Sequence, residues 1–545
     1  MSSARTRTAT IVLCGGPINY SNLPIGTNLS NAMIPVNGKP VIGWILDDLL
    51  AKDIDDVTVV LRVENERLRT FIERSYAARI NLCLAELDRD GTIIESLEAG
   101  LQKNPEAGAA RVILGDTLIT DAFESDEDFV YVGNVSDARR WCLAVIGEDG
   151  EVLDYVDKKE VTHIPLLALA GYYHLTDADD LRTSVEQAVE AGERELSDVL
   201  RRYGACHPIR ARKAKEWFDF GHLDNIIDAR KKLLRPRHFN TLTINPILNT
   251  ITKVSENGEK LKDELDWYLE LPDELKVLTP RILRHNVVDE RLEIVQEYYG
   301  YPTLAELYVY GELHADAWVS ILRHVLRIHL QFKKYPGHVE RSSLQYMYKQ
   351  KLWDRLDTLC RNSEWWADLL SQPLITYNGT VLRNLFTLRS DVEERIDALI
   401  DSATTCIVHG DYCFSNILFD INNRIVRLID PRGSFGEKGI IGDPRYDIAK
   451  LRHSVRGLYD YFTTDMFQIK TNGYSFHGEV YANGVVNAVG STFDELIDKM
   501  GYSIDEIRLI EGLLFISMLP LHGDQPERQQ MMFVKGLSLI NDVCS

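Results

Sequence analysis

The segment from Cys406 to Asp430 constrains this chain more than any other, because it sets chemically capable polar residues at fixed intervals between short apolar runs. It reads CIVHGDYCFSNILFD over residues 406–420 and closes with RLID at 427–430. His409, Asp411 and Asn416 form an HxDxxxxN series, and Asp430 ends the next apolar run. Polar loops do chemistry when a rigid scaffold positions them. The flanking runs, 406–411 and 424–430, are therefore predicted as β segments that hold the loop between them.

Phosphoryl transfer needs a carboxylate beside the acceptor hydroxyl to orient it and take its proton, and oxygen ligands for the Mg²⁺ that bridges the nucleotide phosphates. Asp411, Asn416 and Asp430 have the spacing for those tasks. The order HGDxxxxNxLxD, then LID, then GDPRYDIA at 442–449 resembles the aminoglycoside phosphotransferase and choline kinase family. The resemblance makes Asp411 the catalytic base and Asn416 and Asp430 the Mg²⁺ ligands, with ATP as phosphate donor. His409 stands with Asp411 among the catalytic candidates, and more in keeping with a support for the loop, a role shared with Asp447. Upstream, Lys253 ends the β-type run NTITK and is predicted to contact the nucleotide phosphates, paired with Glu264 of the helix EKLKDELDWY, for which Glu259 is a rival. EYYGYPTLAEL at 297–307 resembles the family's hinge, where backbone groups hold adenine.

The first half of the chain has a different rhythm. Apolar runs at 9–14, 57–63, 80–87, 110–116, 129–135 and 167–175 alternate with amphipathic stretches such as 40–52 and 92–103. That alternation predicts an open, Rossmann-like α/β sheet with ligands at the carboxyl ends of its strands. Its first loop, IVLCGGPINYSNLPIGTNLSNAMIPVNGKPVIG at 11–43, resembles that of the sugar-phosphate nucleotidyltransferases. The resemblance extends to ILGD at 113–116, AGYYHL at 170–175 and WFDFGHLDNI at 217–226. It implies that Gly15, Gly16, Gly91 and Thr92 approach the nucleotide, that Lys159 and Gly171 meet the acceptor, and that Asp116 and Asp219 share a Mg²⁺. The family's arginine and lysine in this loop have no counterpart here: Asn31 takes the lysine position and no arginine occurs between residues 8 and 61. Loss of one preorganised charge costs about two to three orders of magnitude in rate, so the pattern also admits a module that binds without transferring.

A length of 545 residues calls for several structural units. The expected division is a nucleotidyltransferase-like domain over 1–236 and a bilobal, protein-kinase-like α+β domain over 237–545, with a small lobe at about 237–300 and a helical lobe at about 301–545. A net charge of −21 disfavours nucleic acid as a partner. The absence of a long apolar run argues against membrane insertion, and eight scattered cysteines with no secretory-type apolar segment point to a cytoplasmic enzyme. Homo-oligomerisation is left open. The function expected from the two resemblances is phosphorylation of a hydroxyl on a small alcohol or sugar, followed by nucleotidyl transfer to the product from a second NTP, CTP or UTP. Such a pair suits surface-polysaccharide precursor synthesis by analogy between families. A choline-type acceptor would want an aromatic cage, for which Trp365, Trp366, Tyr459, Tyr461 and Phe462 offer rings.

Overall fold

The computed structural model describes residues 7–15, 30–88, 91–161, 166–221, 223–233, 240–255, 258–288 and 291–544. The chain divides into two compact units, the first ending at Leu233.

The first unit is built on a parallel core. Thr8–Leu13 runs parallel to both Asp56–Arg62 and Ala109–Leu114, and Asp56–Arg62 runs parallel to Asn81–Leu87. Ile11, Val12, Val57, Val59 and Val60 are fully buried, as expected of strands covered on both faces by crossover helices. The helix Ile93–Gln102 lies tightly on this core, because a Cβ at Gly100 would come within 2.5 Å of Ile11 Cγ2.

Beyond Leu114 the alternation expected from the sequence stops. Leu167–Leu175 joins the core antiparallel to Ala109–Leu114 and also pairs antiparallel with Phe129–Asn134. Cys142–Ile146 and Val152–Asp157 add a hairpin, and Arg210–Lys213 runs parallel to Phe129–Asn134, giving a mixed sheet of nine strands. Antiparallel neighbours need no crossover helix, and no amphipathic helical stretch separates these runs. A small ladder outside the main sheet pairs Thr117–Ile119 with Trp217–Asp219 in the register Asp219 opposite Thr117.

The second unit begins with a four-stranded antiparallel sheet in the order Asn240–Asn245, Thr250–Ser255, Arg291–Glu297, Ile282–Val288. The helix Gly258–Glu270 packs Leu261 and Leu265 against Ile294 of that sheet. From Leu304 onward the fold is mainly helical. Two short β elements frame the polar loop: Cys406–Ile407 pairs with Ile441–Gly442, and Ile417–Asp420 pairs with Ile425–Leu428. A second four-stranded sheet, which the sequence reading did not contain, is embedded in the helical part. Its two hairpins are Leu374–Tyr377 with Thr380–Arg383, and Phe467–Asn472 with Ser475–Val480. Among the described residues no helix is long and apolar enough to cross a membrane.

Two candidate active sites

In the first unit, the strands Thr8–Leu13 and Ala109–Leu114 end beside a cavity of 220 Å³ lined by Cys14, Gly15, Ser30, Asn31, Gly91, Thr92 and Asp116, among others. This is the carboxyl edge of the parallel core, where open α/β sheets bind ligands. Gly16 lies outside the described residues. Thr92 caps the helix that follows it: its Oγ1 accepts from the Glu95 backbone N–H at 3.2 Å, and Glu95 Oε2 accepts from the Thr92 N–H at 2.6 Å. The capping box fixes this helix start at the wall of the cavity.

The Asp219–Thr117 register carries Asp219 beside Asp116 although about a hundred residues separate them. Both carboxylates converge on the place a Gly221 Cβ would occupy, 3.1 Å from Asp219 Oδ1 and 3.2 Å from Asp116 Oδ2. The Gly221 N–H donates to Asp219 Oδ1 at 3.1 Å and the Asn225 amide to Asp219 Oδ2 at 2.7 Å. Two carboxylates around a cradle kept open by a glycine fit an oxygen-liganded divalent cation such as Mg²⁺. Asn31 Nδ2 donates to Asp116 Oδ2 at 3.1 Å, so a neutral amide occupies this ground. Lys39 and Lys52, the lysines nearest in sequence, pair with Asp47 and Asp48.

In the second unit, Lys253 faces inward from the strand Thr250–Ser255, whose buried residues Ile251, Lys253 and Ser255 alternate as the pleat requires. Its Nζ lies 2.7 Å from Glu264 Oε1 and 2.6 Å from Asp430 Oδ1. Burial opposes the ammonium charge, but Asp430 and Glu264 override it and raise the lysine well above its ordinary pKa. Glu259, the rival partner, is exposed and faces Lys438 at 3.8 Å.

The polar loop is held from behind. The backbone N–H groups of His409 and Gly410 donate to the two oxygens of Asp447 at 2.8 and 2.9 Å. Burial pushes the His409 imidazole down to about 4, so it is neutral at pH 7, and its Nδ1 accepts from the Asp411 N–H at 3.3 Å. Asn416 Nδ2 donates to Asp411 Oδ2 at 2.9 Å, and the Asn416 carbonyl accepts from the Ile429 N–H at 3.0 Å, which ties the loop to the segment that carries Asp430 just past the strand Ile425–Leu428. Asp430 has a left-handed backbone, φ 54°, a conformation enriched at functional positions. One amide oxygen and one carboxylate form a hard-oxygen donor set that suits Mg²⁺.

Residues 10–235 match the family described as nucleotidyl transferase, and residues 249–466 match the phosphotransferase enzyme family. The chain carries a domain of each family. A curated relative, the bifunctional sugar-1-phosphate nucleotidylyltransferase/acetyltransferase of Sulfurisphaera tokodaii, is 25% identical over 217 residues, which are 38% of this chain and 51% of the relative. The chain thus spans about half the length of that relative. Similar solved structures include the CTP:phosphocholine cytidylyltransferase of Streptococcus pneumoniae, with 17% identity and a TM-score of 0.35, covering 42% of this chain and 100% of that one. A UDP-glucose pyrophosphorylase of Acinetobacter baumanii gives 13% identity and a TM-score of 0.36 over 41% of this chain and 92% of that one.

Within the nucleotidyl transferase domain, two residues expected at the acceptor stand elsewhere. Lys159 is exposed after the strand Val152–Asp157 and lines neither this domain's cavity at Asp116 nor the one at Asp219. The cations near Asp219 are Arg140 and Lys232, which line a second cavity of 270 Å³ with Trp217 and Asn225. Gly171 has φ 80°, and a Cβ there would sit 2.7 Å from Thr117 Oγ1. The missing side chain lets its strand pass close to Thr117, next to Asp116. Gly171→Ala should destabilise the domain by about 1–3 kcal/mol, read as a lower urea midpoint. An unchanged midpoint would show that Thr117 yields.

In the phosphotransferase domain the sequence reading missed Lys450. Its Nζ lies 2.8 Å from Asp411 Oδ1, and its side chain is only 7% exposed. Lys450 follows Asp447 by one helical step on Pro444–Val455, and residues three apart share a face. The anchored position of Asp447 was therefore the available signal. The aromatic residues considered for a cationic acceptor are mostly core: Trp366 packs on Phe533 at 5.3 Å, the Tyr461 hydroxyl donates to the Tyr308 carbonyl at 2.7 Å, and Phe462 is buried.

Proposed function

We propose that the chain is a bifunctional enzyme. The phosphotransferase domain phosphorylates a hydroxyl on a small alcohol or sugar with ATP, and the nucleotidyl transferase domain joins the product to a nucleotide from CTP or UTP. The observation that carries the first activity is the pairing of two charge assemblies in one unit: Lys253 between Glu264 and Asp430, and Asp411 between Asn416 and Lys450. Lys253 would hold the nucleotide phosphates. Mg²⁺ at Asn416 and Asp430 would offset phosphate charge.

Burial alone would raise the Asp411 pKa, but Lys450 and Arg432 override it and hold the carboxyl well below its usual range. A carboxylate held so low orients the hydroxyl and accepts its proton late, which suits a loose phosphoryl transition state. A phosphomonoester product is the acceptor class that a nucleotidyltransferase consumes. The pair would thereby serve an activated-precursor route, with surface polysaccharide as the proposed setting.

Protein incubated with ATP, Mg²⁺, each NTP and candidate alcohols should release ADP and then pyrophosphate. Asp116→Ala should lower pyrophosphate release by about two to three orders of magnitude and leave ADP release intact. Loss of ADP release in that variant would show the assignment of the two activities to be wrong. The Asn31 amide on Asp116 favours a second reading, a nucleotidyl transferase domain that binds its ligand and transfers nothing. Absence of pyrophosphate with every NTP, alongside normal ADP release, would select it.

A further inference from the structure

The charges around Asp411 do not balance. In a chain of net charge −21, Lys351, Arg355, Arg432 and Lys450 gather near Asp411, with Asp447 as the second carboxylate acting on Arg432. Lys450 is neutralised by Asp411 at 2.8 Å. Arg432, whose Cβ would lie 2.8 Å from a Cβ on Gly410, donates to the neutral hydroxyl of Tyr446 at 2.8 Å. Arg355 donates to the Ser517 carbonyl at 2.7 Å, again a neutral partner. Lys351 is partly buried and pairs with no carboxylate among the described residues.

The local backbone is arranged for this crowding. A wider π turn, Tyr346–Gln350, immediately precedes the helix Lys351–Asn362, and such turns recur at functional sites. Lys351 and Arg355 stand four residues apart and so share one helix face, where like charges repel and weaken the helix. Burial and the charges of Arg432, Arg355 and Lys450 push the Lys351 amine down to about 6. At pH 7 that amine is mostly unprotonated, and a bound anion would relieve the repulsion and restore its proton.

The groups acting most strongly on Lys253 are Asp430 and Glu264, whereas those acting most strongly on Lys351 are Arg432, Arg355, Lys450 and Asp411. Lys253 thus stands in one charge cluster and Lys351 in another. Of the rings that a cationic acceptor could use, Trp366, Tyr461 and Phe462 are buried in the core, Trp365 lies edge-on to Trp366, and Tyr459 stacks on His453.

Resting on the kinase reading above, we propose that the acceptor is an anionic alcohol: a hydroxyl compound whose carboxylate or phosphate group is gripped by Lys351 and Arg355, with Arg432, while its hydroxyl faces Asp411. The acceptor oxygen bonds to the γ-phosphorus as the bond from that phosphorus to the bridging oxygen breaks. ADP keeps the electron pair, and the hydroxyl proton passes to Asp411.

The test is ADP release by the full-length protein with ATP and Mg²⁺ over matched acceptors: gluconate, glucuronate and glycerate; glucose 6-phosphate and glycerol 3-phosphate; glucose and glycerol; choline and ethanolamine. One of the anionic groups should exceed its neutral counterparts about tenfold or more in kcat/KM, and the contrast between the first two groups tells carboxylate from phosphate. Lys351→Met should raise the KM of that acceptor about tenfold or more while the KM for ATP stays put, and Lys351→Arg should restore it. Arg355→Gln gives the same comparison if Lys351→Met does not fold. Preference for a neutral or cationic acceptor, or an unchanged acceptor KM in both variants, overturns the inference and leaves the kinase standing. No ADP above background from any acceptor removes the kinase reading, and this inference with it.

Discussion

Asp411→Asn protein should bind ATP and Mg²⁺ as the parent does yet turn over about 10²- to 10⁴-fold more slowly, the usual scale for a lost general base. Asparagine keeps the shape of the side chain and removes the charge that orients and deprotonates the hydroxyl. Stability should also fall, because Lys450, 7% exposed, loses its anionic partner. Breaking a fully buried pair costs about 3–5 kcal/mol, and the 34% exposure of the Asp411 side chain places this loss below that range. The double variant Asp411→Asn, Lys450→Met should recover thermal stability without recovering turnover. ADP formation at the parental rate by folded Asp411→Asn protein would eliminate the proposed chemistry.

The kinase landmarks were legible because each is tied to an interval in the chain. The loop needs Asp411 and Asn416 five residues apart so that the amide can reach back to the carboxylate, and Asp430 must closely follow the adjacent strand; both relations can be counted along the sequence. The parallel core of the first unit was legible too, since strands buried on both faces read as unbroken apolar runs.

Contacts that depend on pairing were harder to read. Whether an apolar run joins a sheet parallel or antiparallel is decided by its connection, and the strands after Leu114 needed the shorter kind. Cations such as Lys351 and Arg355 look like ordinary surface residues until the fold sets them beside Arg432. The second sheet of the helical lobe is different, because its signals were present. Asn378 and Gly379, φ 48° and 82°, form a two-residue hairpin loop between β-forming residues, and Gly473, φ 57°, opens the other hairpin loop. Asn-Gly flanked by such residues is a strong hairpin signal, and the apolar helical periodicity around it masked it.

Asp430→Asn tests the other half of the proposed machinery, and its backbone makes the substitution clean. At φ 54° most side chains are strained, but asparagine tolerates the left-handed region, so the strand end should persist. Lys253 keeps Glu264 at 2.7 Å and therefore remains paired. What is lost is the negative charge that Lys253 shares and that the proposed Mg²⁺ would use, so the Mg²⁺ needed for half-maximal ADP formation and the KM for ATP should both rise, with kcat down by about two to three orders of magnitude. Asp430→Ala should show the same kinetic defect plus a lower unfolding midpoint, because alanine lacks asparagine's tolerance of positive φ. The acceptor KM should barely move, since Lys351 and Arg355 belong to the other charge cluster. A variant that loses acceptor affinity while its Mg²⁺ and ATP dependence stays parental would place Asp430 at the wrong end of the reaction.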